Sequence, residues 1–201
     1  MRTNKELMND AKNALQGQWL MVALCAFLFG VITSAGSSFI FGYFLLIGPL
    51  EYGFTSYIIK ATNKANPQIE GLFCGFNKFL ETFLAGLLMF IYTLLWSFLL
   101  IIPGIIASLR YSMTYFIMID NPSLSASQAI DKSCEMMYGH KWDLFCLCCR
   151  FIGWSILCIF TFGIGYLFLL PYMQTSFTLF YRQIKGDNQP EIVTPPAMSA
   201  E

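Results

Sequence analysis

Two charged residues, Glu51 and Arg110, lie inside long apolar stretches of the sequence. A charged side chain within a membrane span is costly, so it usually faces the interior of a helix bundle and meets a partner there. We predict a buried Glu51–Arg110 ion pair, which would either couple the movement of a proton or small solute or fix the packing of helices. The polar side chains expected beside this pair are Tyr52, Tyr111 and Gln174.

A second group of polar residues is the segment Tyr138-Gly139-His140-Lys141-Trp142, which contains the only histidine of the chain. We predict that this segment forms a corner at the cytoplasmic edge of a span, where it meets lipid or a protein partner. A zinc site would need cysteine ligands here, because there is no second histidine. The seven cysteines are odd in number and lack paired spacing, which favours free thiols. The sequence therefore predicts neither a metal site nor a cofactor.

Enzyme motifs are missing from the sequence. It has no nucleophile elbow, no His-Glu-x-x-His, no Walker loop and no dinucleotide-binding glycine fingerprint after a strand. We therefore predict no catalytic residues and a protein that is not an enzyme.

The composition indicates a membrane protein. Of 201 residues, 56% are hydrophobic and only 12% are charged, whereas soluble domains have roughly 25% charged residues. Twelve cations and twelve anions are too few to cover a soluble surface of this size. The formal net charge is zero and no basic tract is present, so nucleic-acid binding is not predicted.

Three stretches without charged residues, 13–50, 82–109 and 151–181, set the number of predicted spans. Each is longer than the ~20 residues that one helix needs to cross a bilayer. Apolar segments also continue beyond Glu51 and Arg110, which brings the prediction to six transmembrane helices. These spans are expected near 19–33, 38–60, 80–102, 104–120, 142–161 and 164–183.

The positions of the cations predict the orientation. Of the 12 Lys and Arg residues, all except Arg110 fall on one side of the six spans, at the termini or in the longer connections. By the positive-inside rule, both termini are expected in the cytoplasm of a multi-pass plasma-membrane protein. A cleaved signal peptide is the competing interpretation of the first apolar run, but the 18 residues before that run contain two acidic residues and have a helical pattern, which does not suit the start of a signal peptide.

The sequence also predicts a threefold repeat over a single transmembrane domain, residues 1–185. The copies, about 3–60, 66–120 and 123–185, each begin with an amphipathic segment and continue into a helical hairpin. We expect these segments to be cytoplasmic helices in the membrane interface, or alternatively linker helices packed on each other. Predicted helix ends are Gly17, Gly75 and Gly139, and predicted capping boxes are Thr3 with Glu6 and Ser125 with Gln128. The segment 186–201 is expected to be a disordered cytoplasmic tail.

Several motifs together carry a resemblance to a known family. They include Ile101-Ile102-Pro103-Gly104, Asp120-Asn121-Pro122, Met136-Met137-Tyr138-Gly139-His140-Lys141, Gly163-Ile164-Gly165 and Pro171-Tyr172. The chain resembles the uncharacterised bacterial integral-membrane family called domain of unknown function 975, which implies a multi-pass protein without an agreed activity. It is also distantly similar to the membrane domain of some glycerophosphodiester phosphodiesterases, which implies lipid-related surroundings but transfers no catalytic residue.

The sequence is compatible with three candidate functions. A non-enzymatic membrane scaffold or accessory protein is favoured because buried polar residues are scarce. A small-solute or ion transporter or channel using Glu51 and Arg110 is the alternative, and a lipid-related intramembrane enzyme is the third. A water-filled cavity that reaches Glu51 or Arg110 would favour transport, whereas a dry and close-packed bundle would favour the scaffold.

Overall fold

The computed structural model describes residues 4–15, 18–36, 40–63, 69–99, 101–159 and 164–186, and within these ranges every regular element is helical. The predicted all-α class is therefore confirmed. The helices are α1 (Asn4–Ala14), α2 (Trp19–Gly36), α3 (Ile40–Thr62), a 3-10 helix (Ile69–Phe73), α4 (Cys74–Asn77), α5 (Phe79–Leu99), α6 (Ile101–Tyr111), α7 (Thr114–Asp120), α8 (Ala126–Met136), α9 (Lys141–Ile159) and α10 (Ile164–Lys185). Thr3, Gly17 and most of the predicted tail lie outside the described residues.

Two stretches of the described chain, Phe79–Phe98 and Ile102–Asp120, are long and apolar enough to cross a membrane. A third candidate is the pair Asn4–Ala14 and Trp19–Thr33, whose two helices meet at 100°, if the pair is counted as one span. By length and composition the described residues thus contain two or three candidate spans, and the predicted six are not confirmed. Charged residues within α9 and near the end of α10 lower the hydropathy of those helices.

The α5–α6 hairpin has the most apolar surface of the fold. Its helices meet closely where Gly104 lies against Ser97. A Cβ atom at position 104 would overlap the Ser97 hydroxyl, so only glycine allows this approach. The outward side chains stay uncovered by the protein, and Phe98 is 86% exposed. Pro103 and Gly104 belong to the first turn of α6, where proline is well tolerated.

Glycines bring α3 against the segment between residues 69 and 86. A Cβ atom at Gly53 would overlap the carbonyl oxygen of Leu72, and one at Gly75 would overlap that of Pro49. Gly75 therefore lies inside α4 in close backbone contact, and the prediction that it ends a helix is wrong. Gly139 fits its prediction, because it has φ +86° in the turn between α8 and α9, a conformation that favours glycine.

The amphipathic helices α1 and α8 turn their apolar faces toward the rest of the protein. Leu7 and Ala11 of α1 are buried where this helix packs on α10, and Ala129 and Ile130 of α8 are buried against the bundle. The Ser125–Gln128 capping box at the start of α8 is confirmed. The apolar faces of α1 and α8 therefore pack on the other helices of the protein. This differs from the prediction that they lie in lipid and also from the alternative that they pack on each other.

The predicted span 104–120 is interrupted by a turn. Helix α6 ends at Tyr111, α7 begins at Thr114, and two side chains bond the carbonyl groups that the turn leaves free. Ser112 Oγ donates to the carbonyl of Leu109 and Thr114 Oγ1 to that of Tyr111, both at 2.8 Å. Such local hydroxyl bonds let a helix break inside an apolar bundle without unsatisfied backbone groups.

Candidate functional site

A cavity of about 420 Å³ lies among helices α3, α5, α6, α7 and α10, and we call it the Glu51 cavity. Its wall contains one carboxyl group, several hydroxyl groups and one amide, together with apolar side chains of Met and Phe. The polar lining residues are Glu51, Thr55, Thr93, Ser108, Tyr111, Ser112, Tyr115 and Gln174.

Helices α3 and α10 meet in one wall of this cavity. Glu51 and Thr55 are one helical turn apart on α3, so their side chains share a face. Gln174 of α10 donates from Nε2 to Thr55 Oγ1 at 2.8 Å, and both residues are buried. This hydrogen bond fixes the position of α10 relative to the helix that carries Glu51.

The interrupted segment between α6 and α7 forms the opposite wall. Tyr111 and Ser112 lie at the break, and Tyr115 follows one turn after Tyr111, so all three reach the cavity. The Tyr115 hydroxyl fits beside Gly86, where a Cβ atom would lie 3.0 Å from it. The small residue on α5 therefore leaves room for a tyrosine that faces the cavity.

Glu51 and Arg110 do not form the predicted ion pair in the described part of the structure. Arg110 is not a lining residue of the cavity, and its Nε atom is buried without a hydrogen-bond partner among the described residues. Its carbonyl oxygen accepts from Ser133 Oγ at 2.7 Å, which holds α6 against α8. The physical reason is the break after Tyr111: α3 packs on α7 rather than on α6, so Tyr115 comes close to Glu51 instead.

Of the five intramembrane polar candidates, the structure places Glu51, Tyr111 and Gln174 on the Glu51 cavity. Tyr52 is buried in the hydrophobic core and does not line the cavity. Sequence reasoning missed Thr55 and Tyr115, although each follows a predicted residue by four positions. A search for hydroxyl groups one helical turn from Glu51 and Tyr111 would have found them.

The corner formed by residues 138–142 is exposed. Tyr138 is 82% and Trp142 is 71% exposed, and Lys141 Nζ lies 6.0 Å from the centre of the Tyr138 ring. His140 Nδ1 lies 3.8 Å from a carboxylate oxygen of Asp143. Within the described residues, no group of three or more His, Cys, Asp or Glu side chains could hold a metal ion.

The chemistry of the Glu51 cavity suits a small polar or cationic molecule. A carboxylate accepts hydrogen bonds or ligates a cation, and hydroxyl and amide groups supply further donors and acceptors. No Lys or Arg lines the cavity among the described residues, so nothing there neutralises the carboxyl group of Glu51.

Comparisons with known proteins give one match. A family model described as a protein of unknown function (DUF975) matches residues 1–107 and 98–188. Neither the curated proteins nor the solved structures contain a significant match to this chain. The predicted similarity to the membrane domain of glycerophosphodiester phosphodiesterases is not found.

Proposed function

The chain belongs to the DUF975 family, whose description assigns no activity, and we propose that it is an integral membrane protein that moves a small polar or cationic solute through the Glu51 cavity. The observation that carries this proposal is a cavity of about 420 Å³ with a carboxyl group and several hydroxyl groups in its wall. The proposal includes no catalysis, and its partners are the lipid bilayer and the solute.

The size and lining of the cavity favour solute binding over a purely structural role. The cavity is partly open at the surface, where Phe90 of its wall is 43% exposed. A volume of about 420 Å³ lies within the range of roughly 300–1,000 Å³ that is usual for ligand sites. A purely structural role would not require the polar groups in this wall.

The interruption between α6 and α7 supports the same function. Many transporters form their substrate sites at discontinuous helices, where irregular backbone lines a cavity rather than lipid. Here the break at residues 112–113 lies beside the cavity, and Ser112 belongs to its wall.

We further propose six spans in which α2, α3, α9 and α10 join the two apolar stretches, with both termini in the cytoplasm. Helices of 18 to 23 residues are long enough, at 1.5 Å per residue, to span most of a ~30 Å bilayer core. Contacts between helix ends favour this arrangement: Lys78 donates to the carbonyl of Pro122, Arg182 to Asn63 Oδ1, and Lys185 to Asp120 at 2.9 Å. A reporter fused to each terminus and read from both sides of the membrane tests this part of the proposal.

Cysteine labelling tests the cavity itself. In a background without the seven native cysteines, Thr55→Cys and Tyr111→Cys place a thiol on the cavity wall, whereas Tyr52→Cys and Thr114→Cys are matched buried positions away from it. We expect the small cationic reagent methanethiosulfonate ethylammonium to label the first two in membranes at least tenfold faster than the second two. Equal labelling of all four would contradict the proposal because the cavity would then be no more accessible than the core. Labelling of none would contradict it and favour a dry scaffold.

A scaffold or accessory role remains the second candidate because of the corner at 138–142. Two large aromatic side chains, Tyr138 and Trp142, are exposed there on adjacent turns. If a protein partner binds this corner, a photo-crosslinking residue at position 142 will give a discrete adduct in cells. The same residue at Leu95, on the exposed apolar face of α5, is the control and should give lipid adducts alone.

A further inference from the structure

A second concave region lies between α1, the start of α2, α9 and α10, and we call it the α1 groove. Its volume is about 890 Å³, and it shares no lining residue with the Glu51 cavity. One face of α1 and one face of α9 form its walls, because the lining residues of each helix recur at spacings of three or four. The groove is therefore a separate site, independent of the proposed transport function.

The charged part of the groove is entirely positive. Lys5 and Lys12 lie two turns apart on α1, and Arg150 lies on α9. All three side chains are exposed, and none forms a salt bridge within the described residues. No Asp or Glu lines the groove, since Glu6 and Asp10 of α1 are not among its lining residues. The groove thus presents three cations without a neutralising carboxylate.

The rest of the groove is apolar and aromatic. Trp154 and Leu157 of α9 are 54% and 61% exposed, and Trp19 and Phe168 lie with their ring centres 6.5 Å apart. A free inorganic anion would contact the cations but would leave these side chains uncovered. A ligand that fits the whole surface must therefore carry a negative group and hydrocarbon.

We propose that the α1 groove binds an anionic phospholipid of the leaflet that faces α1, with the phosphate at Lys5, Lys12 and Arg150 and an acyl chain along Trp154 and Leu157. Basic pockets between membrane helices bind lipid headgroups through this combination of charge and apolar surface. The lipid would also hold α1 in place, since α1 contacts α10 at this point through a hydrogen bond from the Tyr172 hydroxyl to the carbonyl of Met8, at 3.1 Å.

Two of the four tryptophans line the groove, so fluorescence quenching by lipid tests the proposal directly. Trp96→Phe and Trp142→Phe first remove the other two. The full chain is then reconstituted in zwitterionic phosphatidylcholine that contains increasing mole fractions of either brominated phosphatidylglycerol or brominated phosphatidylcholine. We expect brominated phosphatidylglycerol to quench at about tenfold lower concentration, since each nearby cation contributes about fivefold at most.

Charge variants localise the effect. Replacing Lys5, Lys12 and Arg150 together by Gln should bring the preference for phosphatidylglycerol close to one. Replacing Lys60, Lys132 and Lys141 by Gln removes the same charge outside the groove and should leave the preference unchanged.

Three outcomes of the quenching comparison would overturn the proposal. The first is equal quenching by both brominated lipids in the protein that keeps Lys5, Lys12 and Arg150. The second is a preference for phosphatidylglycerol that remains after these three residues are replaced. The third is an equal loss of the preference in both triple variants. Loss of the preference on adding millimolar glycerol phosphate would also overturn it, because the groove would then be a site for soluble anions. If deleting residues 187–201, which include Asp187 and Glu191, raises quenching more than tenfold, the occupant is that segment of the chain rather than a lipid.

Discussion

Helix α3 has two very different neighbourhoods within a few residues. At Gly48 and Gly53 it meets the backbone of α5 and of the 3-10 helix so closely that no Cβ atom fits. At Glu51 and Thr55 the same helix borders a cavity of about 420 Å³. We call the first region the glycine contact. The difference shows how one helix of a small bundle combines close backbone contacts with a polar site that side chains do not fill.

The largest effect is expected at the glycine contact. In Gly53→Ala the new methyl group would overlap the carbonyl oxygen of Leu72, and this neighbour is backbone that cannot rotate away. We expect a loss of about 3 kcal/mol or more in the free energy of unfolding in mixed micelles, or failure to accumulate as folded protein.

Gly30→Ala is the matched control for this change. Gly30 also lies in a helix, α2, but nothing approaches its Cβ position within 4 Å. Alanine there should be neutral or stabilise the helix by up to about 1 kcal/mol. Equal effects of the two substitutions would show that α3 is not held by the glycine contact.

The sequence predicted part of this contrast. A charged residue within an apolar run identified Glu51 as a candidate site residue, and hydropathy predicted the helices. Both predictions were possible because each depends only on residues that are neighbours in the sequence. The identity of the partner of Glu51 is not local: it depends on the break after Tyr111, which brings α7 rather than α6 to α3. Gly75 was misplaced for a related reason, since glycine suits both a helix end and a close backbone contact. Only the packing of α4 on Pro49 distinguishes these two uses.

A smaller effect is expected where the cavity wall is held by a hydrogen bond. Thr55→Val keeps the shape of the side chain but removes the acceptor of the Gln174 amide, which stays buried. Leaving a buried donor unpaired costs about 1–3 kcal/mol, so the unfolding free energy should fall by that amount. Thr33→Val is the control, since the Thr33 hydroxyl bonds only backbone carbonyls of its own helix, and should cost less.

A double-mutant cycle sharpens this comparison. Adding Gln174→Leu to Thr55→Val removes the unpaired amide, so the double variant should recover part of the lost stability. Strictly additive losses would indicate that the two side chains do not interact across the cavity wall.

The charge of Glu51 should affect access to the cavity rather than stability. In Glu51→Gln, labelling of Thr55→Cys by methanethiosulfonate ethylammonium should slow by about fivefold, because the carboxylate no longer attracts the cation across the cavity. Labelling by the neutral methyl methanethiosulfonate should not change. The control is Glu135→Gln, an exposed carboxylate on α8 that does not line the cavity. If both reagents slow equally, Glu51 shapes the cavity without setting its charge preference.

The smallest effect is expected at the end of the bundle, away from both regions of α3. There Asp120 accepts hydrogen bonds from the Tyr181 hydroxyl at 2.7 Å and from Lys185 Nζ at 2.9 Å, and the lysine is exposed. Exposed ion pairs contribute about 0–1 kcal/mol and weaken with salt, so Lys185→Gln should lower the unfolding free energy by less than 1 kcal/mol, with the difference shrinking in 1 M salt. Lys132→Gln, which removes an exposed lysine from α8, should change nothing measurable. If Lys185→Gln lowers the unfolding free energy by more than about 2 kcal/mol, the charged end of the bundle contributes more to stability than this comparison with the glycine contact predicts.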